Sequence, residues 1–295
     1  MSENYPKLPD PATPVRPSLP GYLRALLRLG GALAYSVLCA LLGWVIYPVE
    51  WIAPGRARAV RTGLSRRWMR GVLWFIGTRI VVRGPLPKPP YFMVLNHPCW
   101  LDLFVMTVVL DVRLVAEAQL KTAPIVGILF RGLHPLFVKR TQEDTPRITD
   151  AVIEALRAGD SVIFAPETPV LDAPRGTNVR QFRAALFEAA IQTGIPVSCV
   201  SLSYRTPAGC PSALHSVIFH TVPIYRAPGS DLPDARLESY GSAKVREFFR
   251  YLIGLLALPH HEALVTFAEN TVSAEDRITL ANRAHETVSA NFIPM

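Results

Sequence analysis

A chain of 295 residues, half of them hydrophobic, holds enough apolar material for a sizeable core and for more than one structural region. Its net charge of +8 sits at one end: residues 1 to 83 carry twelve Lys/Arg against Glu3, Asp10 and Glu50, and the remainder is near neutral. Those arginines flank apolar segments, and no base-stacking or groove-reading module accompanies them, which excludes nucleic acid as a partner and favours a lipid surface.

Residues 1–20 contain Pro6, Pro9, Pro11, Pro14, Pro17 and Pro20 and read as a disordered tail with no cleavable signal pattern. Leu29 to Val49 is uncharged for 21 residues, about the length that spans a bilayer, with Tyr35, Trp44, Tyr47 and Trp51 as interfacial anchors. Arginines on both sides leave its orientation open. Arg56 to Gly77 mixes Leu64, Trp68, Val72, Leu73 and Phe75 with many arginines, the pattern of a basic amphipathic helix at the headgroups. Two arrangements of this 21–78 anchor stay open: one span plus a surface helix, or a helical hairpin dipping into one leaflet.

From Arg79 onward, strands and helices alternate. Strands are expected at 80–82, 91–95, 113–116, 136–138, 161–164 and 197–202, with helices at 98–110, 125–133, 145–158 and 181–193. A strand at 216–220, a long amphipathic helix over 235–258 stopped by Pro259, a strand at 263–267 and a helix opened by the capping box Ser273-Ala-Glu-Asp276 complete the chain. The fold class this predicts for 79–295 is α/β, a central mixed sheet flanked by helices, preceded by the membrane-associated helical segment. Ligand sites in such sheets gather at strand ends, where His97, Arg140 and Glu167 all fall.

The pattern centres on Tyr91-Phe-Met-Val-Leu-Asn-His-Pro-Cys-Trp-Leu-Asp102, a short buried strand, a turn bearing a histidine, and a helix. Pro98 suits the first helical position. Residues five apart do not share a helix face, so His97 and Asp102 meet only if His97 lies outside the helix and leans back. A carboxylate on one imidazole nitrogen fixes the tautomer and leaves the other nitrogen to take a proton. The alternative is a capping histidine beside an unrelated aspartate.

Asn96-His-Pro-Cys-Trp-Leu-Asp102 resembles the His-x4-Asp block of the glycerolipid acyltransferases, the family of the bacterial 1-acylglycerol-3-phosphate acyltransferases. Pro135-Leu-Phe-Val-Lys-Arg140, Phe164-Ala-Pro-Glu167 and Gly194-Ile-Pro-Val-Ser-Cys-Val200 resemble its second, third and fourth blocks in the same order. The resemblance implies a catalytic domain over 79–295 that moves a fatty acyl group from acyl-CoA or acyl carrier protein to the hydroxyl of a lysophospholipid, most simply 1-acylglycerol-3-phosphate. It implies His97 as general base, Asp102 as its orienting partner, and Arg140 as a phosphate contact. Glu167 then orients the acceptor or the motif loops, or caps a helix. Asn96 and Lys139 join the expected substrate contacts. No bound cofactor and no metal are expected, and the domain faces the cytoplasm.

The departures bear on the acceptor. Thr168-Pro-Val170 replaces the Gly-Thr-Arg that continues the third block, Glu117 stands where a lysine often precedes the second, and His134 replaces the glycine that opens it. Lys121, Lys139, Arg175 and Arg180 are the candidate replacements for the missing cations. Another lysophospholipid or a lyso-ornithine lipid is therefore an alternative acceptor. A thioesterase using the same pair, or a lipid-binding protein on the same fold, are the rivals from other classes; a Gly-x-Ser-x-Gly elbow for the former is absent from the sequence. Cys39, Cys99, Cys199 and Cys210 lack metal spacing and fit reduced, buried thiols; Cys99 inside the first block raises a Cys–His nucleophile as a further reading.

Overall fold

A computed structural model describes residues 17–46, 48, 52–121, 126–139, 144–167, 178–206 and 252–293. The predicted strand at 216–220, most of the 235–258 helix, and Arg140, Arg175 and Cys210 lie outside the described residues.

Helices α1 (Leu19–Ile46) and α2 (Pro54–Ile76) come first, followed by β1 (Thr78–Arg83), β2 (Phe92–Leu95), α3 (Asp102–Val109), β3 (Arg113–Glu117), α4 (Val126–Arg131) and β4 (Leu136–Val138). Then come α5 (Asp144–Arg157), β5 (Val162–Phe164), α6 (Glu188–Thr193), β6 (Val197–Arg205), β7 (His261–Phe267) and α7 (Arg277–Asn291). Among the described residues the strands form one seven-stranded sheet in the order β1-β7-β6-β2-β5-β3-β4. Every neighbouring pair is parallel except β6 with β7, so the sheet is mixed, as predicted.

Alternation along the central strands divides the core in two. Phe92 and Val94 of β2 join Val162 and Phe164 of β5 and Val197 and Cys199 of β6 under α5, α6 and α7. Met93, Leu95, Ile163, Val200, Leu202 and Tyr204 face the opposite way, under α1 to α4 and residues 252–258. A strand buried on both faces needs apolar residues at every position, and all four residues of β2 are buried.

The α1–α2 hairpin belongs to the second of these cores. Trp68, Met69, Val72, Leu73 and Ile76 turn the apolar face of α2 inward, onto α3 and the sheet. That stripe, expected from sequence to lie at the headgroups, is therefore buried against protein. Small residues let the two helices approach: Gly31 lies under the Phe75 ring and Gly71 under Tyr35, where a Cβ would overlap either ring. Trp68 Nε1 donates to Ser36 Oγ at 2.9 Å. Gly77, at φ 85°, ends α2 in the left-handed conformation and redirects the chain into β1.

α1 starts ten residues before the apolar stretch read from sequence and includes two arginines. Arg24 donates to the Ala257 carbonyl at 2.6 Å; Arg28 donates to those of Leu256 (3.0 Å), Leu258 (2.6 Å) and Pro259 (2.8 Å). These carbonyls lie at and just beyond the end of the helical stretch 252–257, where orphan acceptors and the negative helix end favour a cation. At its other end α1 meets α4, with Gly43 beside Ile128 and Leu129. The helix is thus fastened to the domain at both ends, along a stripe through Gly21, Ala25, Cys39, Ala40 and Gly43. Elsewhere on its surface the helix exposes Leu23, Leu26, Leu33, Leu38, Leu41 and Val45.

Candidate active site

The turn after β2 is held from three directions. Asn96 takes over where the backbone ladder stops: its Nδ2 donates to the Leu202 carbonyl at 2.8 Å and its Oδ1 accepts from Leu202 N–H at 2.7 Å. The side chain extends the β2–β6 pairing beyond Leu95, opposite Val200. At 1% exposure, Asn96 thus braces the turn with both ends of its amide and presents no surface to solvent.

From β5, Glu167 reaches the same turn. Its carboxylate accepts from the backbone N–H of His97 and, at 3.1 Å, from that of Arg180. A bridge between Glu167 and Phe182 keeps residues 180–183 extended, which is why the helix expected from Gln181 begins only at 185 as a short 3₁₀ turn. Burial pushes the Glu167 carboxyl above its ordinary range, and the two N–H groups pull it back.

The third hold is Asp102. α3 begins at this residue and not at Pro98, because the Asp102 carboxylate turns back to accept from Cys99 N–H at 3.1 Å and keeps 99–101 as a turn. Oδ2 also accepts from His97 Nδ1, at 2.7 Å. The carboxylate is 0% exposed, whereas the histidine side chain keeps 25% of its surface. The expected pair is formed, with the histidine outside the helix leaning back.

A residue that the sequence reading missed completes the carboxylate. Tyr204, on β6, donates its O–H to Asp102 Oδ1 at 2.6 Å, and Cys99 Sγ lies 3.7 Å from the same oxygen. Tyr204 shares a strand face with Val200 and Leu202, so alternation placed it on the α3 side, but nothing local signalled its partner. Cys99 is fully buried, and burial beside the Asp102 charge pushes its thiol well above the ordinary range, away from the thiolate that a nucleophile requires.

His97 and Glu167 stand at the carboxyl ends of neighbouring parallel strands, and Lys139 at the same end of β4, two strands further on. The exposed Lys139 gives its backbone N–H to Asp144 at 2.7 Å; Arg147, ahead of that bond, holds the Asp144 carboxyl down at about 2. Arg140, the next residue, lies outside the described residues. Among the described residues no cluster of His, Cys, Asp or Glu has the grouping of a metal site.

The site is thus a histidine hydrogen-bonded to a buried carboxylate at the ends of the parallel strands of a mixed α/β sheet. Residues 79–203 match the family model described as Acyltransferase, a match that supports the glycerolipid acyltransferase family. It is 33% identical over 143 residues to the 1-acyl-sn-glycerol-3-phosphate acyltransferase of Neisseria meningitidis, an alignment covering 48% of this chain and 55% of that one. It is 27% identical over 192 residues to the lyso-ornithine lipid O-acyltransferase of Pseudomonas aeruginosa, covering 65% and 72%. The chain thus spans about half the length of the first relative and nearer three quarters of the second. In fold it is similar to the crystal structure of the 1-acyl-sn-glycerophosphate acyltransferase PlsC from Thermotoga maritima, with a TM-score of 0.59 at 18% identity over 91% of this chain and 96% of that one.

Proposed function

We propose that the protein is a membrane-associated O-acyltransferase that moves a fatty acyl group from an acyl thioester to the free hydroxyl of a lysophospholipid, 1-acylglycerol-3-phosphate in the first instance. The observation that carries this reading is the 2.7 Å contact between His97 Nδ1 and the buried Asp102. With Nδ1 committed to the carboxylate, Nε2 takes the proton of the acceptor hydroxyl. The oxygen attacks the thioester carbonyl, the C–S bond breaks, and the departing thiolate recovers the proton from His97. The donor is already activated, so no acyl-enzyme is required, in keeping with the buried Cys99 thiol. Acyl-CoA or acyl carrier protein fits this donor role equally.

Arg140 and Lys139, beyond β4, take the acceptor's phosphate, Arg through its fork geometry. A lyso-ornithine lipid is the second reading of the acceptor. The loss of the third block's Gly-Thr-Arg favours it, as does the longer alignment with the Pseudomonas relative.

α1 is long and apolar enough to cross a bilayer by length and composition. Its contacts with Ala257 at one end and Leu129 at the other support instead a helix lying along the domain, with its free apolar face in one leaflet. The arginines of α2 then meet anionic headgroups. Buried free thiols at Cys39, Cys99 and Cys199 fit a cytoplasmic-facing domain.

One assay tests the whole reading: purified protein with labelled acyl-CoA or acyl carrier protein and a panel of lysolipids. Diacyl product is expected, and Arg140→Ala should raise the KM of a phosphate-bearing acceptor by on the order of 1.5–3 kcal/mol of lost binding. Free fatty acid in place of diacyl product would mean hydrolysis. Lipid binding without turnover would mean a lipid-binding protein. An unchanged KM in Arg140→Ala with phosphate acceptors would move recognition to other cations.

A further inference from the structure

One contact on Asp102 has no part in the chemistry above. Oδ2 faces His97 and Cys99 N–H, while Oδ1 receives the Tyr204 hydroxyl at 2.6 Å. That hydroxyl comes from a strand 102 residues further along the chain. Tyr204 is 0% exposed, so it touches no substrate; besides the carboxylate its hydroxyl meets the Cys99 thiol.

We propose that Tyr204 is a positioning residue for acyl transfer, holding Asp102 Oδ1 so that Oδ2 faces His97 Nδ1, and tempering the carboxylate so that the imidazolium formed during transfer gives its proton up again. The assignment rests on the acyltransferase reading of His97. An O–H donated to an ionised carboxylate is among the stronger protein hydrogen bonds, and 2.6 Å lies in the range for such charge-assisted pairs. Without it, a buried carboxylate oxygen would keep only the thiol of Cys99, a weak donor at 3.7 Å. The carboxylate would then rotate, or bind the imidazolium more tightly. Burial beside Asp102 pushes the Tyr204 hydroxyl well above its ordinary range, so it stays a donor throughout the working pH range. The other titratable or charged groups near the pair are Cys99 on the same turn, Glu167 after β5, and Arg180 on the segment paired with it.

The test is Tyr204→Phe in the purified enzyme, read as kcat, acceptor KM and pH–rate profile. kcat should fall about tenfold, within what losing one charge-assisted hydrogen bond allows, with acceptor KM unchanged. The acidic limb of the profile should move to higher pH, because a carboxylate without this donor holds the imidazolium more firmly. In an Asp102→Asn background the same substitution should cost less than about twofold, since the carboxylate it acts through is gone. Replacing Tyr204 by 3-fluorotyrosine keeps the bond and the packing but makes a stronger donor; it should move the limb the other way, and it decides the matter if Tyr204→Phe does not fold. Full additivity with Asp102→Asn, or a limb that moves with neither change, would reduce Tyr204 to a space-filling residue. An unmodified enzyme with no transfer activity is a separate outcome, which removes the acyltransferase reading and this assignment with it.

Discussion

His97 and Cys99 lie two residues apart and differ in everything that chemistry needs. The histidine keeps a quarter of its side-chain surface, and the cysteine keeps none. His97→Ala should therefore lose about 10²–10⁴-fold in kcat, the usual contribution of a positioned base. Cys99→Ala should retain transfer, and mass spectrometry of wild-type protein quenched in turnover should find no acyl group on Cys99. An acyl-thioester trapped there would overturn direct transfer. A second titratable residue acts on stability instead. His261 is fully buried, with Nε2 at 2.9 Å from Thr78 Oγ1, and burial together with the nearby Arg28 lowers it from 6.5 to about 4. Between those values the unfolded chain binds the proton and the folded one does not. Stability is therefore complete above about pH 6.5 and declines as pH falls toward about 4, by on the order of 3 kcal/mol. Thermal unfolding in detergent at pH 7.5 and pH 5 should show this drop, and His261→Gln should flatten it; an equal drop in both proteins would place the sensitivity elsewhere. The His97–Asp102 pair was legible because Asn96–Asp102 resembles the family's His-x4-Asp block; spacing and a turn proline alone left a capping histidine open as well. Tyr204 was not, because strand alternation gives a residue's face and not its partner 102 positions away.

Among the elements, α1 and α2 changed most between sequence and structure. Both were legible as helices from their apolar content, but hydropathy along one helix does not say which stripe finds protein and which finds lipid. Small residues decide it: Gly21, Ala25, Ala40 and Gly43 are buried, and Gly31 lets the Phe75 ring of α2 come close. On the membrane-associated reading, the lipid face is then the exposed side of Leu38, Leu41 and Val45. Each such side chain taken from water contributes roughly 1.5–3 kcal/mol to attachment. Substituting all three by glutamate should move the protein from the membrane pellet to the soluble fraction with its thermal unfolding preserved. If the triple variant stays in the pellet, attachment resides in another surface. Helix starts were the least legible feature. Asp102 and Asp276 set them through side-chain bonds to backbone N–H groups, and α7 accordingly opens at Asp276, which accepts from Ile278 and Thr279, and not at Ser273.

At the scale of the molecule, the alternating pattern gave the mixed sheet and brought three strand ends to one side, since parallel pairing leaves their loops no other place. Strand order was beyond reach: the first strand lies against the last, and no local pattern encodes that pairing. β1 has β7 as its partner among the described residues, with Thr78 opposite His261 across 183 residues of chain. Arg24 and Arg28 likewise wait for carbonyls at 256–259. A ribosome adding about 5–20 residues per second supplies those partners roughly ten to forty seconds after the helical hairpin has been made. Throughout that interval the nascent chain carries two arginines and an edge strand whose partners do not yet exist. On the membrane-associated reading proposed above, the bilayer therefore meets the hairpin before the arginine clasp closes, which happens only when the last strand arrives.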